Sequence, residues 1–501
     1  MKLLRPAFVF VAAILAVVAS VAVAAARAES RRATAVVSAP LRQPLPSAVL
    51  VCAAAAAANG VTTSTITASA PSNGPGTLTI SRFGSRSGPP VATAAAGTGL
   101  VRYSVPGTKG GPYVIRATGA QARGLSASVV TRTNAGGARG LSTVQCTAPT
   151  GQSWIVGGGA SVGRLSRIYL SNVDPTPATV NLTIYTTKGA QQPTPAQGVQ
   201  VPPSGQVAVD VDALVPGQGA VAVQISATSG RVASAMVDAQ QAGLTRQGVD
   251  WVPPSVPPAR EVVIAGIPGV AATGPPAGDP IARTLSLLVP GSLDANVSVR
   301  LVTGGGTLSP PALATLSVPA GKLDQINLAA YASSAPFGVT ISSDQPLVAS
   351  VRTLEGAPGS TQEFSYATGV APIEGSVVLP YAVSPPGQGT ALQLVNPGSR
   401  DLGVTIGSAA EGTAGPGPVT RVTVPAGRIV QIRVGGTSAS ALPMSIQVTG
   451  SPTPTELRVG WVFSEQGTNG PLVTGGGVPQ TPLEQIAPPV LSDPAVGFPG
   501  H

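Results

Sequence analysis

The two cysteines are the residues whose type and number most directly predict a chemical link. Cys52 and Cys146 are the only cysteines in the 501-residue chain. In an oxidising compartment such a pair forms one disulfide, and closing a loop of this length stabilises a protein by roughly 4–5 kcal/mol in the chain-entropy model. Two unrelated buried thiols are the alternative. We predict the disulfide, and no metal site, because two sulfurs and the single histidine, His501, do not supply a zinc ligand set.

Catalytic groups are sparse in this sequence. With His501 as the only histidine, a serine or cysteine nucleophile has no histidine base. The 20 acidic residues are spread thinly, and neither Glu363 nor Glu374 has a spacing that indicates a glycosidase pair. The "DVD" at 210–212 could contribute to a calcium site, but no Glu or Asn follows at a useful distance. The sequence therefore predicts a protein that is not an enzyme and needs no cofactor.

Three tryptophans are the candidates for ligand stacking, because a flat aromatic side chain can pack on a sugar ring. Trp154 and Trp461 lie within apolar runs, which favours a place in the core. Trp251 follows Asp250 and precedes the Pro-rich stretch 253–258, which we interpret as part of a stiff linker over 250–260. Trp251 is therefore the predicted exposed aromatic and the possible ligand-stacking residue.

A sequence motif that occurs three times indicates that the chain consists of repeats. "VTVPAGRIVQIRV" at 422–434 is nearly copied by "LSVPAGKLDQINL" at 316–328, and more loosely by "VQVPPSGQVAVDV" at 199–211. In each copy, alternating apolar and polar residues predict strands on both sides of a turn. Pro presets φ in that turn, and Gly321, Gly427 and Gly205 are the residues expected to take positive φ.

Aligning the chain on this phrase gives about seven short strands in each copy, the pattern of an immunoglobulin-like β-sandwich. We therefore predict an all-β protein of tandem immunoglobulin-like β-sandwich domains after an N-terminal membrane helix, arranged as an extended rod. The predicted boundaries are a signal peptide or membrane anchor at 1–32, a degenerate sandwich with the disulfide at 45–149, three sandwich repeats at 150–250, 260–356 and 370–464, and a flexible Gly/Pro-rich tail at 465–501.

The N-terminal segment predicts export. No charged residue occurs between Arg5 and Arg27, and a helix of that length spans about 31 Å, enough to cross the hydrocarbon core of a bilayer. Small residues near Ala26 leave cleavage as a signal peptide open. The expected location is the cell membrane, as a single-pass protein with its bulk outside the cytoplasm, or the exterior after cleavage.

The net charge of +9 raises the question of nucleic-acid binding. The 29 basic residues are scattered singly, and aromatic residues form only 3% of the chain. A nucleic-acid platform needs clustered basic residues together with stacking aromatics. We therefore expect no nucleic-acid partner.

The chain resembles an uncharacterised family of exported, membrane-anchored actinobacterial proteins known only as a domain of unknown function. The likeness rests on the N-terminal apolar segment, the early Cys52, "WIVGGG" at 154–159, the "NPGS" turn at 396–399 and the recurring "VPAG[KR]" turn. Genes of this family tend to lie beside a membrane glycosyltransferase, which implies work on envelope glycans. The expectation is a non-catalytic scaffold or interaction protein of the bacterial cell envelope, whose partner is an envelope protein or glycan. The alternative is a carbohydrate-binding accessory protein for envelope polysaccharide assembly.

Overall fold

A computed structural model describes the ranges 41–55, 62–71, 74–84, 88–96, 98–107, 109–135, 139–269, 283–382, 390–410, 419–434, 444–451, 455–467, 469–480 and 484–487. The regular secondary structure of these residues is almost entirely β-strand, which confirms the predicted all-β class. The described helices are one short α-helix, α1 (Val211–Leu214), and four 3-10 turns at Gly119–Ala122, Thr194–Ala196, Pro311–Leu313 and Ala329–Tyr331.

The predicted membrane segment at 1–32 lies outside the described residues. Among the described residues, none belongs to a helix that has both the length and the apolar character to cross a membrane.

Two compact units divide the chain. One unit contains residues 1–44 and 484–501, and its described part is a two-stranded antiparallel ladder of a strand near each end of the chain. The other unit runs from 45 to 483 and contains four groups of strands in succession, which we name repeats 1 to 4.

The strand bounds follow the chain. The first strand and those of repeat 1 are β1 (Leu41–Pro44), β2 (Ser47–Ala55), β3 (Thr62–Ser69), β4 (Leu78–Arg82), β5 (Ala92–Thr93), β6 (Leu100–Ser104), β7 (Gly111–Thr118), β8 (Ser126–Thr133) and β9 (Gly140–Gln145). Those of repeat 2 are β10 (Gln152–Val156), β11 (Arg164–Asn172), β12 (Ala178–Thr186), β13 (Gly189–Gln191), β14 (Val199–Val201), β15 (Gly205–Asp210), β16 (Ala222–Ser229), β17 (Ala233–Ala242) and β18 (Thr245–Val252).

Repeat 3 contains β19 (Ala259–Ile267), β20 (Arg283–Leu288), β21 (Ala295–Thr303), β22 (Gly306–Leu308), β23 (Leu316–Val318), β24 (Leu323–Asn327), β25 (Phe337–Glu355) and β26 (Glu363–Thr368). Repeat 4 and the last strand are β27 (Ser376–Ala382), β28 (Thr390–Asn396), β29 (Leu402–Ala410), β30 (Val419–Val424), β31 (Arg428–Val434), β32 (Met444–Ser451), β33 (Arg458–Gly467), β34 (Gly470–Gly477) and β35 (Glu484–Ala487).

Each repeat has two antiparallel groups of strands. In repeat 1 the orders are β2-β7-β4-β5 and β6-β3-β8-β9; in repeat 4 they are β27-β32-β29-β30 and β31-β28-β33-β34. Repeat 2 has β10-β16-β12-β13, with β14 along β12, and β15-β11-β17-β18. In repeat 3 the long strand β25 belongs to both groups, pairing with β19 and β21 along one half and with β20 and β26 along the other.

The alternation read from the sequence places apolar side chains between the two groups. In β12, every second residue from Ala178 to Ile184 is fully buried. One apolar cluster of repeat 1 joins Ile80 and Ile115 of one sheet to Ile66 and Val129 of the other. Burial of each such side chain stabilises the fold by about 1.5–3 kcal/mol.

The repeated turn has the predicted geometry in two of its three copies. Gly321 and Gly427 have φ of +69° and +63°, the left-handed region that glycine enters without a steric cost. In the third copy the prediction for Gly205 is wrong, because Ser204 takes that conformation with φ of +50°. The extra residue of "VPPSG" places Ser204 at the position that glycine occupies in the other two turns.

The last strand of each repeat was the hardest to predict from the sequence. β26 lies in a segment between two predicted repeats, β34 lies in the predicted flexible tail, and β18 overlaps the predicted linker. Each of these strands, like β9, is at the edge of its own sheet. Each repeat therefore has more strands than the seven expected.

These four edge strands, which we call the terminal strands, pack against one another in a closed cycle. Within residues 45–483, β9 contacts β18, β18 contacts β26, β26 contacts β34, and β34 contacts β9. An extended rod would bring together only neighbouring repeats, whereas here repeat 4 also contacts repeat 1. The expected rod is therefore wrong, and the terminal strands lie where the four repeats meet.

Candidate functional site

Glu363, the first residue of β26, joins three repeats. Its Oε1 accepts a hydrogen bond from the backbone N–H of Val249 in β18 at 3.0 Å, and its Oε2 accepts one from that of Leu141 in β9 at 3.3 Å. The side chain is buried, and burial raises the pKa of Glu363 to about 8. The carboxyl is therefore largely protonated at neutral pH, so the centre of the unit avoids a buried charge.

Asp250, in β18, joins repeat 2 to repeats 1 and 4. Its Oδ1 accepts hydrogen bonds from the backbone N–H of Thr143 in β9 and from the hydroxyl of Thr474 in β34, at 3.2 and 3.4 Å. Burial raises the pKa of Asp250 well above its ordinary value, and the proximity of the Glu363 carboxyl adds to this shift. Both carboxyls thus link strands whose repeats are far apart in sequence.

Glycine in the terminal strands allows this close packing. A Cβ on Gly248, which has φ of +112°, would lie 2.5 Å from Glu363 Oε1. A Cβ on Gly140 would lie 2.7 Å from Val249 Cγ1. Real Cβ atoms do not approach other heavy atoms so closely, so a side chain at either position would force the strands apart.

A second buried polar group locks repeat 2 to repeat 3. Arg164 pairs with Asp238 at 2.8 Å and donates to the Tyr366 hydroxyl at 2.6 Å, while that hydroxyl donates to Asp238 at 2.8 Å. Burial by itself would raise the pKa of Asp238, but the guanidinium of Arg164 outweighs it and lowers this pKa. The guanidinium of Arg352 lies 4.4 Å from the centre of the Phe364 ring and donates to Gln240.

Repeat 1 and repeat 4 close the cycle with charged groups. Arg132 pairs with Glu465, and Arg139 donates to the carbonyl oxygens of Gly470 and Pro471 at 2.6 and 3.0 Å. Burial lowers the pKa of Arg139, and the carboxyl of Glu363 opposes that effect. These contacts cross more than 330 residues of sequence, so they depend on the closed arrangement.

A hollow with a volume of about 560 Å³ lies between repeats 3 and 4. Polar groups of Ser360, Thr361 and Asn469 line it together with the carboxylates of Glu355 and Glu465. Both carboxylates are already paired with arginines, Glu355 with Arg283 and Glu465 with Arg132. This polar hollow therefore offers hydrogen-bonding groups with little net charge.

A smaller hollow of about 310 Å³, which we call the aromatic cleft, lies between repeats 2 and 3. Trp154 and Tyr185 line one side, with ring centres 6.0 Å apart and ring planes inclined by 33°. Gln224 lies opposite Trp154 in the ladder of β10 and β16, and its Oε1 accepts from the Tyr185 hydroxyl at 3.4 Å. The opposite side consists of Val289, Pro290, Gly291, Gln345 and Pro346 of repeat 3.

The sequence-predicted site residues have different outcomes. The predicted disulfide between Cys52 and Cys146 is confirmed. Trp251 is only 9% exposed and packs against Tyr169, with ring centres 5.6 Å apart, so the exposed position predicted for it is wrong. The reason is that the expected linker begins within β18, one face of which packs on the core of repeat 1.

The acidic sequence considered for a calcium site, "DVD" at 210–212, contains a residue that forms an ion pair within the protein. Asp210 pairs with Arg167 of the neighbouring strand. Among the residues that the structure describes, no group of three or more His, Cys, Asp or Glu side chains is arranged to hold a metal ion.

Sequence reasoning did not identify the residues that the structure brings together. Glu363 resembled a surface carboxylate, and Tyr185 and Gln224 were not singled out. The alternation of Phe364 and Tyr366 after Glu363 is the signal that could have indicated a strand there. Glu363 and Ser365, the polar residues that alternate with these two rings, are buried as well, so both sides of the strand are covered.

The chain belongs to a family of unknown function, DUF5719, whose model matches residues 101–435, about two thirds of the sequence. The match spans repeats 2 and 3 completely and parts of the flanking repeats. No curated protein is similar enough to the chain to count as a relative.

Proposed function

We propose that this protein is a non-catalytic, extracytoplasmic interaction protein of the bacterial cell envelope, tethered to the membrane or released by cleavage of its N-terminal segment. Its bulk consists of four immunoglobulin-like β-sandwich repeats. The sandwich assignment is supported by the two antiparallel strand groups in each repeat and by the apolar residues shared between them.

The observation that carries the proposal is the structural use of the buried ionisable groups. Asp238, Asp250 and Glu363 each form a hydrogen bond with a residue of a repeat other than their own. An acid–base catalyst needs an accessible group within reach of substrate, whereas these carboxyls are buried where repeats meet. Ionisable side chains that bond the repeats together favour a firmly assembled body that presents its loops to a partner.

A second candidate function is a carbohydrate-binding accessory role in envelope polysaccharide assembly. The polar hollow and the aromatic cleft favour it, since hydroxyl-rich ligands are bound by convergent amides, hydroxyls and aromatic faces.

The test combines two measurements on the oxidised full-length protein. Purified envelope polysaccharides are titrated against the immobilised protein, and in parallel the protein is cross-linked within native membranes and its adducts are identified by mass spectrometry. Saturable cross-linking to one envelope protein without glycan binding supports the interaction role. Saturable binding of one polysaccharide supports the carbohydrate role. If neither occurs, or if the protein turns over a glycan, the proposal is wrong.

A further inference from the structure

We propose that the aromatic cleft between repeats 2 and 3 binds one neutral sugar residue of a glycan chain. The inference rests on the carbohydrate-binding candidate function and names the site and the ligand class. A volume of about 310 Å³ is at the lower end for small-molecule sites, which suits a single ring more than an extended ligand.

The aromatic pair supplies the apolar contact. A sugar ring presents C–H bonds on its faces, and these pack on aromatic side chains as other apolar groups do. Trp154 and Tyr185 are held in place by burial, with 4% and 6% of their surfaces exposed. Only the edges that line the cleft are exposed, so a sugar ring contacts these edges rather than a whole ring face. Packing already fixes both side chains, so binding costs little side-chain entropy.

Two glutamines supply the polar contacts. The amide of Gln224 lies beside the aromatic pair, and Gln345 belongs to the other repeat. Each amide has both donor and acceptor atoms, which suits hydroxyl groups that also donate and accept. The side chain of Gln345 is half-buried and lines the cleft, so its amide can bond to a ligand there.

The absence of charge decides the class of sugar. No Asp, Glu, Lys or Arg is among the described residues that line this cleft. A uronic acid or a phosphorylated sugar would lose hydration without gaining an ion pair, which is costly in a partly buried site. A neutral sugar has no such cost.

Tryptophan fluorescence provides a direct readout, because the chain has three tryptophans and only Trp154 lines this cleft. The full-length protein is titrated with neutral galactan, mannan and glucan oligosaccharides, with an oligomer of glucuronic acid, and with a proline decapeptide. We expect a saturable change with a neutral oligosaccharide, at least tenfold weaker binding of the uronate, and no response to the peptide. The emission change is expected to vanish in Trp154→Phe, which removes the reporter.

Two variants test the site without altering the core. Gln224→Ala and Gln345→Ala are each expected to weaken binding of the neutral oligosaccharide about fivefold to tenfold, the loss of one hydrogen bond. Gln431→Ala, at an exposed position of β31, is the matched control and is expected to bind normally. The thermal midpoint of each variant is compared with that of the parent, and Gln345→Ala serves alone if Gln224→Ala is destabilised.

The outcomes separate the site from the function. Neutral glycan binding that survives both glutamine variants places the sugar elsewhere and overturns this inference while the carbohydrate role stands. No glycan binding by the parent overturns both. Equal affinity for the uronate overturns the neutral class, and a response to the proline peptide alone assigns the cleft to a protein partner.

Discussion

The buried carboxyl of Glu363 makes the stability of the four-repeat unit depend on pH. Burial raises its pKa from an ordinary value of 4.5 to about 8. Between these values the folded carboxyl keeps its proton while the unfolded carboxyl releases it, so the unfolded state gains relative stability as pH rises. The free energy of unfolding is therefore highest below about pH 4.5 with respect to this group, and it falls as pH rises toward 8.

The expected magnitude is large enough to measure. Each pH unit in this interval lowers the free energy of unfolding by about 1.4 kcal/mol per such group, so the full interval amounts to roughly 5 kcal/mol. Asp250 acts in the same direction, because its pKa is also raised by burial. Above pH 9 the tyrosines and arginines begin to contribute, so the informative window is pH 5 to 9.

The assay is urea-induced unfolding of the oxidised protein at several pH values in that window. In the parent, the transition midpoint is expected to fall steadily between pH 5 and 8. Glu363→Gln cannot titrate, so it should reduce the slope, although it lowers the midpoint at pH 5 because an amide donor then faces a backbone N–H. Glu374→Gln, at an exposed carboxyl, is the control and should keep the parent slope.

Two results would refute this reasoning. A parent midpoint that is constant from pH 5 to 9 would show that Glu363 does not titrate in this interval. A slope in Glu363→Gln equal to that of the parent would assign the pH dependence to other groups.

Three further predictions concern other parts of the molecule. Gly427→Val should destabilise repeat 4 by about 1–3 kcal/mol, because Gly427 has φ of +63°. Gly407→Val is the control and should not destabilise it, because a Cβ there meets nothing within 4 Å. Calorimetry distinguishes the two variants. Tyr366→Phe removes the hydroxyl between Arg164 and Asp238 and should lower the free energy of unfolding, measured by chemical denaturation, by about 2–4 kcal/mol. A decrease below about 0.5 kcal/mol, the size expected for a surface substitution, would contradict the role of these hydrogen bonds. Cys52→Ser should lower the stability of repeat 1 by roughly 4–5 kcal/mol, and reduction should lower the parent but not the variant.

The repeat phrase shows how far local sequence can predict this fold. "VPAGK" and "VPAGR" determine their turns because the positive φ of Gly321 and Gly427 is a preference of the residue itself. The flanking strands alternate in polarity because one face is buried and the other is not. The disulfide followed from the number of cysteines. These features depend on the residue types alone or on neighbours in sequence.

The candidate sites could not be predicted in this way. Trp154 is buried in an apolar cluster, as expected, but its place at the edge of the aromatic cleft depends on a repeat more than 130 residues further along the chain. Trp251 was expected to be exposed because Pro-rich sequence follows it, yet repeat 1 covers it. In both cases the exposed fraction is determined by a neighbour that the local sequence does not specify.

Strand alternation, turn chemistry and the number of cysteines can all be read locally, so they were enough to predict an all-β, repeated protein with one cross-link. The closure of the repeats through the terminal strands depends on contacts between distant parts of the chain, and no local pattern specifies it. Those strands are buried by contacts with other repeats. They therefore contain glycine and protonatable carboxyls at positions where a half-exposed strand would have solvated polar side chains. Gly248 and Glu363 are unremarkable in the sequence, and their roles arise from the close approach of strands in different repeats.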